Sequence, residues 1–340
     1  MPKRVTIAEV AELAGVHKAT VSRALNVRTE HQVNSVTAKR IQRAAKQLGY
    51  IPNIMARGLR TSLSMTVGVI MPDLTNPLFP PILRGIENYL SPRGYTALVA
   101  NTDGRESLEQ AAFDSLLERR VDGFIMATGL AVHPLLAEAY ERDVRVVLVN
   151  RRSFDVPYPL VTGDDAAGIT AAVDHLVQLG HRKILHIAGP SSFSTSVVRA
   201  DAFTAACAAN KGVSYSVAEG SALSVEVGES CMDTVLMARA ALPTAIVAGN
   251  DLLALGVLRS LRKHGLKCPD DVSVVGFNDM PFAEDFQPPL TTIRVPHLQM
   301  GTEAARLLLA GIAADVQTPV TVTLPVSLIV RASTSPPRRT

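Results

Sequence analysis

Two groups of residues in this sequence have the types and spacing to do chemistry. In the stretch HKATVSRALN, Lys18 and Ala19 would open a short helix and Arg23 would follow one turn later. Lysine and arginine can donate to guanine O6 and N7, and an alanine methyl can rest on a thymine methyl. Thr20 and Ser22 offer hydroxyls to phosphates, contacts that set register without reading sequence. The second group stands just past successive apolar runs: Asp73 and Asn76, Asn101, Asn150 with Arg151, Asn250 with Asp251, and Asn278 with Asp279. Arg199 opens a helix soon after another such run. Amides, carboxylates and arginines of this kind bond in pairs to a ligand carrying several hydroxyls. One group suits DNA; the other suits a small polyhydroxylated molecule.

Catalytic constellations are missing. The sequence has no GxxxxGK[ST] loop for a nucleoside triphosphate, no strand followed by GxGxxG for a dinucleotide and no GxSxG elbow for a nucleophilic serine. His175, His181 and His186 are spaced by six and five residues, which does not put them on one helical face, so they read as structural and not as a metal cluster. The pairs Asp164-Asp165 and Asp270-Asp271 point their side chains in different directions and read as helix caps and turn residues. No enzyme activity, cofactor or metal is expected.

Composition narrows the setting. The chain has 340 residues, 47% of them hydrophobic, with no Trp and three Cys (Cys207, Cys231, Cys268) that are too scattered for a disulfide framework or a zinc site. No apolar stretch reaches the length of a membrane span, and the opening MPKRVTIAEV lacks a signal-peptide core, so a cytoplasmic protein is expected. The net charge of +3 hides an asymmetry. The first 60 residues hold 11 of the 34 basic and 3 of the 31 acidic side chains, a net of +8, so the other 280 net −5. A basic headpiece on a mildly acidic body places the nucleic acid at the headpiece.

The elements that must position these residues can be read from capping and periodicity. Thr6-Ile7-Ala8-Glu9 is a capping box, followed by Val10, Leu13 and Ala14 at helical spacing and a stop at Gly15. A second helix spans about 17–25 and a third about 35–48, stopped by Gly49; together they make a helix-turn-helix unit whose second helix would enter the major groove. From residue 65 the pattern changes to strands alternating with helices: TVGVIM, TALVAN, GFIMA and VRVVLVN in a first round, then KILHIA, AIVAGND and DVSVVGFND in a second. Such alternation means parallel sheets with helices on both faces. The expected fold is an all-α headpiece plus an α/β core of two doubly wound lobes. Ligands of such sheets sit at the carboxyl ends of the strands, where the second group of polar residues falls.

The segment VTIAEVAELAGVHKATVSRALN, with LGYIPNIMARGL after it, resembles the DNA-binding end of the lactose-repressor (LacI/GalR) family. VDHLVQLGHRKILHIAGP, AIVAGNDLLALGVL, DDVSVVGFNDM and PPLTTIRVP follow in family order, so the resemblance covers nearly the whole chain. It implies a headpiece over 1–49 and a hinge helix and linker over 50–62. It implies a core over 63–340 similar to periplasmic sugar-binding proteins, with lobe 1 at about 63–162 and 293–321 and lobe 2 at about 163–292 and 322–340. The DNA-binding residues it implies are Thr6, Lys18, Ala19, Thr20, Ser22, Arg23, Asn53, Met55, Ala56 and Leu59, with Leu59 wedged into the minor groove. For the effector it implies Asn76, Phe79, Asn150, Arg199, Asn250 and Asn278; Asp73 and Arg151 join them on position alone.

Several departures from the family pattern shape the expectations. His17 stands where a capping Ser or Thr is usual, and the loop NVRTEHQVNSV is about two residues longer. Asn150 and Asn278 replace aspartates, and Ala222 and Leu223 occupy a loop that usually supplies an aromatic ring. With Asp73 set against Arg151 and Arg199, an anionic effector such as a sugar acid or phosphorylated sugar is expected. The resemblance implies a homodimer on a pseudo-palindromic double-stranded operator. SLIVRASTSPPRRT carries no leucine heptads for a larger assembly. The alternatives are a solute-binding protein without a regulatory role and a corepressor-dependent regulator of nucleotide-type metabolism.

Overall fold

The computed structural model describes residues 5–25, 29–50, 63–238 and 242–338. They fall into two compact units, Met1–Ser64 and Met65–Thr340. In the first unit, helix α1 (Ile7–Ala14) starts from a reciprocal cap. The Thr6 N–H donates to Glu9 Oε2 at 2.7 Å and the Glu9 N–H to Thr6 Oγ1 at 3.4 Å. Gly15 ends the helix in the left-handed conformation, φ 59°, which a residue with a Cβ would resist. Helix α2 (Lys18–Ala24) is capped by His17, whose Nδ1 accepts the Ala19 N–H at 3.2 Å. The imidazole thus does the work expected of a serine or threonine hydroxyl. Helix α3 (Ser35–Leu48) starts at Asn34, which accepts the Val36 N–H, and stops at Gly49.

Val10, Ala11, Ala14, Val21, Ala24, Ile41 and Ala45 form the core of this small unit. Alanine dominates, which lets the helices approach closely. Leu13, counted in the apolar stripe of α1, is 47% exposed, and Ala11 takes the inward place. Asn53, Met55, Ala56 and Leu59, expected in a hinge helix, lie outside the described residues.

The second unit contains two six-stranded sheets. The first runs β11-β5-β4-β3-β1-β2, built from β1 (Thr66–Met71), β2 (Thr96–Asn101), β3 (Phe124–Met126), β4 (Val146–Val149), β5 (Leu160–Gly163) and β11 (Thr321–Leu324). The second runs β12-β10-β9-β8-β6-β7, built from β6 (Lys183–Ala188), β7 (Ser214–Glu219), β8 (Ala245–Ala248), β9 (Ser273–Asn278), β10 (Thr291–Arg294) and β12 (Ser327–Ile329). Every pairing is parallel except β10 with β12. Central strands such as β4, β8 and β9 are buried along their whole length, as sheets covered on both faces require.

The chain passes between the sheets three times, after β5, after β10 and after β11. Each passage lies one to three residues beyond the expected lobe boundary, because pairing continues to the pairs Gly163–Leu324 and Arg294–Asn278. Strand β7 and the helix Val225–Met237 have no counterpart in the sequence reading. β7 is an edge strand that is mostly exposed, so it shows no apolar run. Helix His297–Ala314 crosses back to pack on helix Phe79–Leu90, and the two meet through glycines. A Cβ at Gly301 would overlap the Ile82 carbonyl oxygen, and one at Gly85 the Leu298 carbonyl oxygen. Gly301→Ala is therefore expected to cost about 1–3 kcal/mol by overpacking, read as a lower midpoint in thermal denaturation.

Candidate functional site

On α2, Lys18, Ala19 and Arg23 lie on the exposed face, while Val21 and Ala24 on the opposite face are buried in the core. Thr20 and Ser22 flank this face and are half-buried, and Thr6 is exposed at the start of α1. Thr29 Oγ1 donates to the Arg23 carbonyl at 3.0 Å, fastening the end of α2 to the loop that follows. The result is a short, rigid helix with two cations and a methyl on its outer surface.

In the second unit, a cavity of about 440 Å³ opens between the two lobes. Asp73, Asn76, Phe79, Glu109, Thr128 and Arg151 line it from lobe 1, and Phe193, Leu223 and Ser224 from lobe 2. The loop after β1 is held by its own side chains. Asp73 Oδ1 accepts from the Thr75 N–H and hydroxyl at 2.8 and 2.6 Å, and Asn76 Oδ1 accepts the Leu78 N–H at 3.1 Å. Arg151 is buried, with its guanidinium stacked 3.8 Å over the Phe193 ring. Burial and the charge of Arg199 lower its pKa to about 10, while Glu109 pulls the other way. Asn150, at φ 70°, adopts a left-handed conformation that asparagine tolerates, and it lines a separate recess of about 180 Å³ with Asp165, Ser194 and Thr195.

Arg199, Asn250 and Asn278 line neither space. Arg199 donates to Asp165 at 3.0 Å and to the Gly249 carbonyl at 2.7 Å, and stacks 3.8 Å over Phe277. Burial pushes the Asp165 carboxyl up, and Arg199 only partly offsets this. Asn250 caps helix Asp251–Lys263 by accepting the Leu253 N–H at 2.8 Å. Asn278 Oδ1 is buried without a partner among the described residues, as are Arg199 Nε, His186 Nε2, His297 Nε2 and Ser196 Oγ. Burial and the charge of Arg199 push both imidazoles, His186 and His297, down to about 4. Such unsatisfied groups carry a desolvation cost that a hydrogen-bonding ligand would relieve.

The charge balance differs from the sequence expectation of an anionic effector. Arg199 is paired with Asp165, whose sequence pattern reads only as a helix cap or turn residue. Glu109, 5% exposed, supplies a carboxylate on the cavity wall; the Thr128 hydroxyl donates to it and His133 Nε2 lies 3.3 Å away. Asp103 and Glu106 add two more acids to the lining. One buried acid therefore faces one buried base, and the cavity's remaining charges are negative. Glu109 had a sequence signal: it falls in an apolar stripe with Phe113 and Leu116, where a carboxylate needs a reason to be. Phe193 had none.

His175, His181 and His186 are each engaged separately, by Thr334, by Thr244 with the tail at Ser335, and by the Val247 carbonyl. Among the described residues no group of three or more His, Cys, Asp or Glu is placed to hold a metal ion. No described helix is long and apolar enough to cross a membrane.

Comparison with known proteins decides the family. Residues 6–53 match the model for bacterial regulatory proteins of the lacI family, and residues 173–334 match a periplasmic binding protein-like domain. The HTH-type transcriptional regulator DegA of Bacillus subtilis (strain 168) is 31% identical over 337 residues, covering 98% of this chain and 99% of DegA. The chain belongs to the LacI family. A lac repressor dimer bound to operator and the anti-inducer ONPF superimposes with a TM-score of 0.85 at 29% identity, covering 98% of this chain and all of that one. A CelR–cellobiose complex superimposes with a TM-score of 0.74 at 32% identity, covering 97% and 100%. The protein is thus a LacI-family DNA-binding transcriptional regulator with the family's two-lobed core.

Asp251, beside Asn250, tests the polar interior of lobe 2. It accepts the Met280 N–H at 2.7 Å and the Thr292 hydroxyl at 2.5 Å, and burial pushes its pKa to about 7. A folded pKa above the unfolded value favours the protonated form. Its contribution to stability is full below about pH 4 and is lost as pH rises through 7. Asp251→Asn stays neutral throughout, so the stability gap between the two proteins should narrow from pH 5 to pH 8 in denaturant titrations. A gap that widens would mean that Asp251 is held as a carboxylate.

Proposed function

We propose that this protein is a homodimeric repressor, acting in the cytoplasm by binding alone and without catalysis, whose operator affinity is set by a neutral polyhydroxylated effector held between the core lobes. The observation that carries the DNA half is the outer face of α2, where Lys18, Ala19 and Arg23 are exposed together over a buried Val21–Ala24 face. Lys18 and Arg23 would read base edges, and Thr6, Thr20 and Ser22 would hold phosphates. Asn53, Met55 and Ala56 would carry Leu59 into the minor groove at the operator centre. A dimer presents two such units to half-sites of a pseudo-palindrome.

The effector half rests on the cavity lined by Asp73, Asn76, Phe79 and Arg151. Asn150 in the separate recess and the buried Arg199, Asn250 and Asn278 would join the site only if the lobes rearrange around an effector. An anion is disfavoured because Glu109 offsets Arg151, Asp165 pairs with Arg199, and the remaining charges on the wall, Asp73, Asp103 and Glu106, are negative. The cellobiose held by the CelR neighbour is a ligand of this uncharged class. An effector that loosens operator binding must itself bind the operator complex less tightly, by the same factor.

Selection of bound sequences from a random DNA pool by the purified protein tests the reading. Enrichment of a palindrome is expected, and its absence both with and without a mixture of neutral sugars overturns it. On the selected duplex, Arg23→Ala should cost about 1–3 kcal/mol and relax discrimination at one base pair; a uniform loss across sequences would make Arg23 a phosphate contact. Leu59→Ala should weaken binding to the selected duplex while sparing most affinity for random DNA, compared by titration at one salt concentration. Isothermal calorimetry with paired neutral sugars and sugar acids should give heat only with the neutral member.

A further inference from the structure

One tripeptide makes three contacts between the lobes beside the cavity. Ser192 and Phe193 lie in lobe 2 between β6 and helix Ser194–Ala209, and Ser194 is the first residue of that helix. The Ser192 carbonyl accepts the Ala131 N–H at 2.8 Å, and Ser194 Oγ accepts the Arg152 N–H at 3.0 Å. Between them the Phe193 ring takes the Arg151 guanidinium at 3.8 Å. Ala131, Arg151 and Arg152 all belong to lobe 1, in the segments that leave β3 and β4.

The stacked pair is also part of the cavity wall, where both residues meet the space between the lobes. Arg151 is 7% exposed, and its Nε is buried without a partner among the described residues. A guanidinium offers five donors and no acceptor. One face here is satisfied by an aromatic ring of the other lobe, while the edge toward Nε still needs an oxygen. The backbone is fitted to this placement: a Cβ at Gly129 would press on the Arg151 carbonyl at 3.2 Å, so only glycine lets the two segments run so close without a shift.

We infer that Arg151 and Phe193 form an effector-reading clasp, in which Arg151 accepts only occupants that present an oxygen to Nε and Phe193 converts that contact into closure of the lobes. The inference rests on the reading of the cavity as the effector site. An occupant oxygen on Nε fixes the plane of the guanidinium, and that plane is the surface on which Phe193 of the opposite lobe lies. A ligand lacking such an oxygen leaves the donor unsatisfied and gains nothing from closure. Arg151 is thus the specificity-determining residue and Phe193 the positioning residue that carries its state to the other lobe.

The experiment is amide hydrogen exchange on the full chain, read at Ala131 and Arg152, whose N–H groups make the two cross-lobe bonds. Phe193→Leu keeps an apolar side chain but removes the ring, and Arg151→Met keeps the length but removes the charge. Each variant should raise exchange at both amides by roughly 3- to 30-fold, the factor expected for losing one desolvated cation–π contact. Core amides in β1 and β8 should exchange as before, which separates clasp opening from unfolding. The double variant should be no faster than either single one, because both remove the same contact. Unchanged exchange at Ala131 and Arg152, or effects that simply multiply, would overturn the clasp.

A second measurement reads the consequence for regulation. On the selected operator duplex, both variants should shift affinity by at least threefold in the same direction; an unchanged affinity overturns the link between clasp and lobe state. Failure of the wild-type chain to select any duplex would defeat the regulatory reading instead, and the exchange data would still decide the clasp.

Discussion

Parallel pairing is the constraint from which the core follows. A parallel strand cannot return to its neighbour by a tight turn, so each must be followed by a crossover, here mostly a helix. Apart from β12, the strands of each sheet run the same way and release their chain at one edge. Polar residues that would be isolated in sequence therefore collect there: Asp73 after β1, Thr128 after β3, Arg151 after β4, Asn278 at the end of β9. Two such edges facing one another enclose a cavity, to which helix and loop residues such as Glu109 and Phe193 add the rest of the wall. The passages between lobes are tied down on the lobe 2 side, where Asp279 takes Arg294 at 2.6 Å and Arg331 at 2.8 Å.

The price of this arrangement is buried charge. Removing two ions from water costs several kcal/mol each, and a buried pair regains this only with good geometry. Arg199 meets that condition with a carboxylate, a carbonyl and an aromatic face. Arg151 does not: it has a ring and a more distant carboxylate, and burial lowers its pKa to about 10. An apolar side chain would be cheaper at that position if stability were the only requirement. A donor left incompletely satisfied on a cavity wall costs stability, and that cost is what the proposed effector contact would offset.

Most of the fold could be read from the sequence because its signals are local. Thr6 and Glu9, Gly15 and Gly49 mark helix ends, and the buried strands are unbroken apolar runs. What escaped were elements whose signal is not local. β7 sits at an edge and is mostly exposed, and the short strands β5, β11 and β12 are defined by partners far along the chain. The site divides the same way. Strand-end residues such as Asp73 and Arg151 could be placed from position, and Asn76 and Phe79 from the family resemblance, but the charge balance around them could not. Asp165 reads as a cap or turn residue until Arg199, 34 positions later, is brought to 3.0 Å. Phe193 is an aromatic in a loop until the fold lays it over Arg151 from the other lobe.

The magnitudes explain why a clasp so slight can matter. Coupling between an effector and an operator is typically 1–3 kcal/mol. Two cross-lobe hydrogen bonds at about 0.5–1.5 kcal/mol each and one desolvated cation–π contact of about 2 kcal/mol are of that same order. The sheet cores are far stronger. Each lobe buries its own continuous cluster, Ile70, Phe113, Phe124 and Leu148 in one, Leu185, Ile246, Leu253 and Val274 in the other. The least resistance to a change of shape therefore lies between the lobes and not within them. A ligand can shift such an equilibrium only by its difference in affinity for the two arrangements. Groups that line the cavity and span the lobes at once are placed to supply that difference, and Arg151 stacked on Phe193 is such a group.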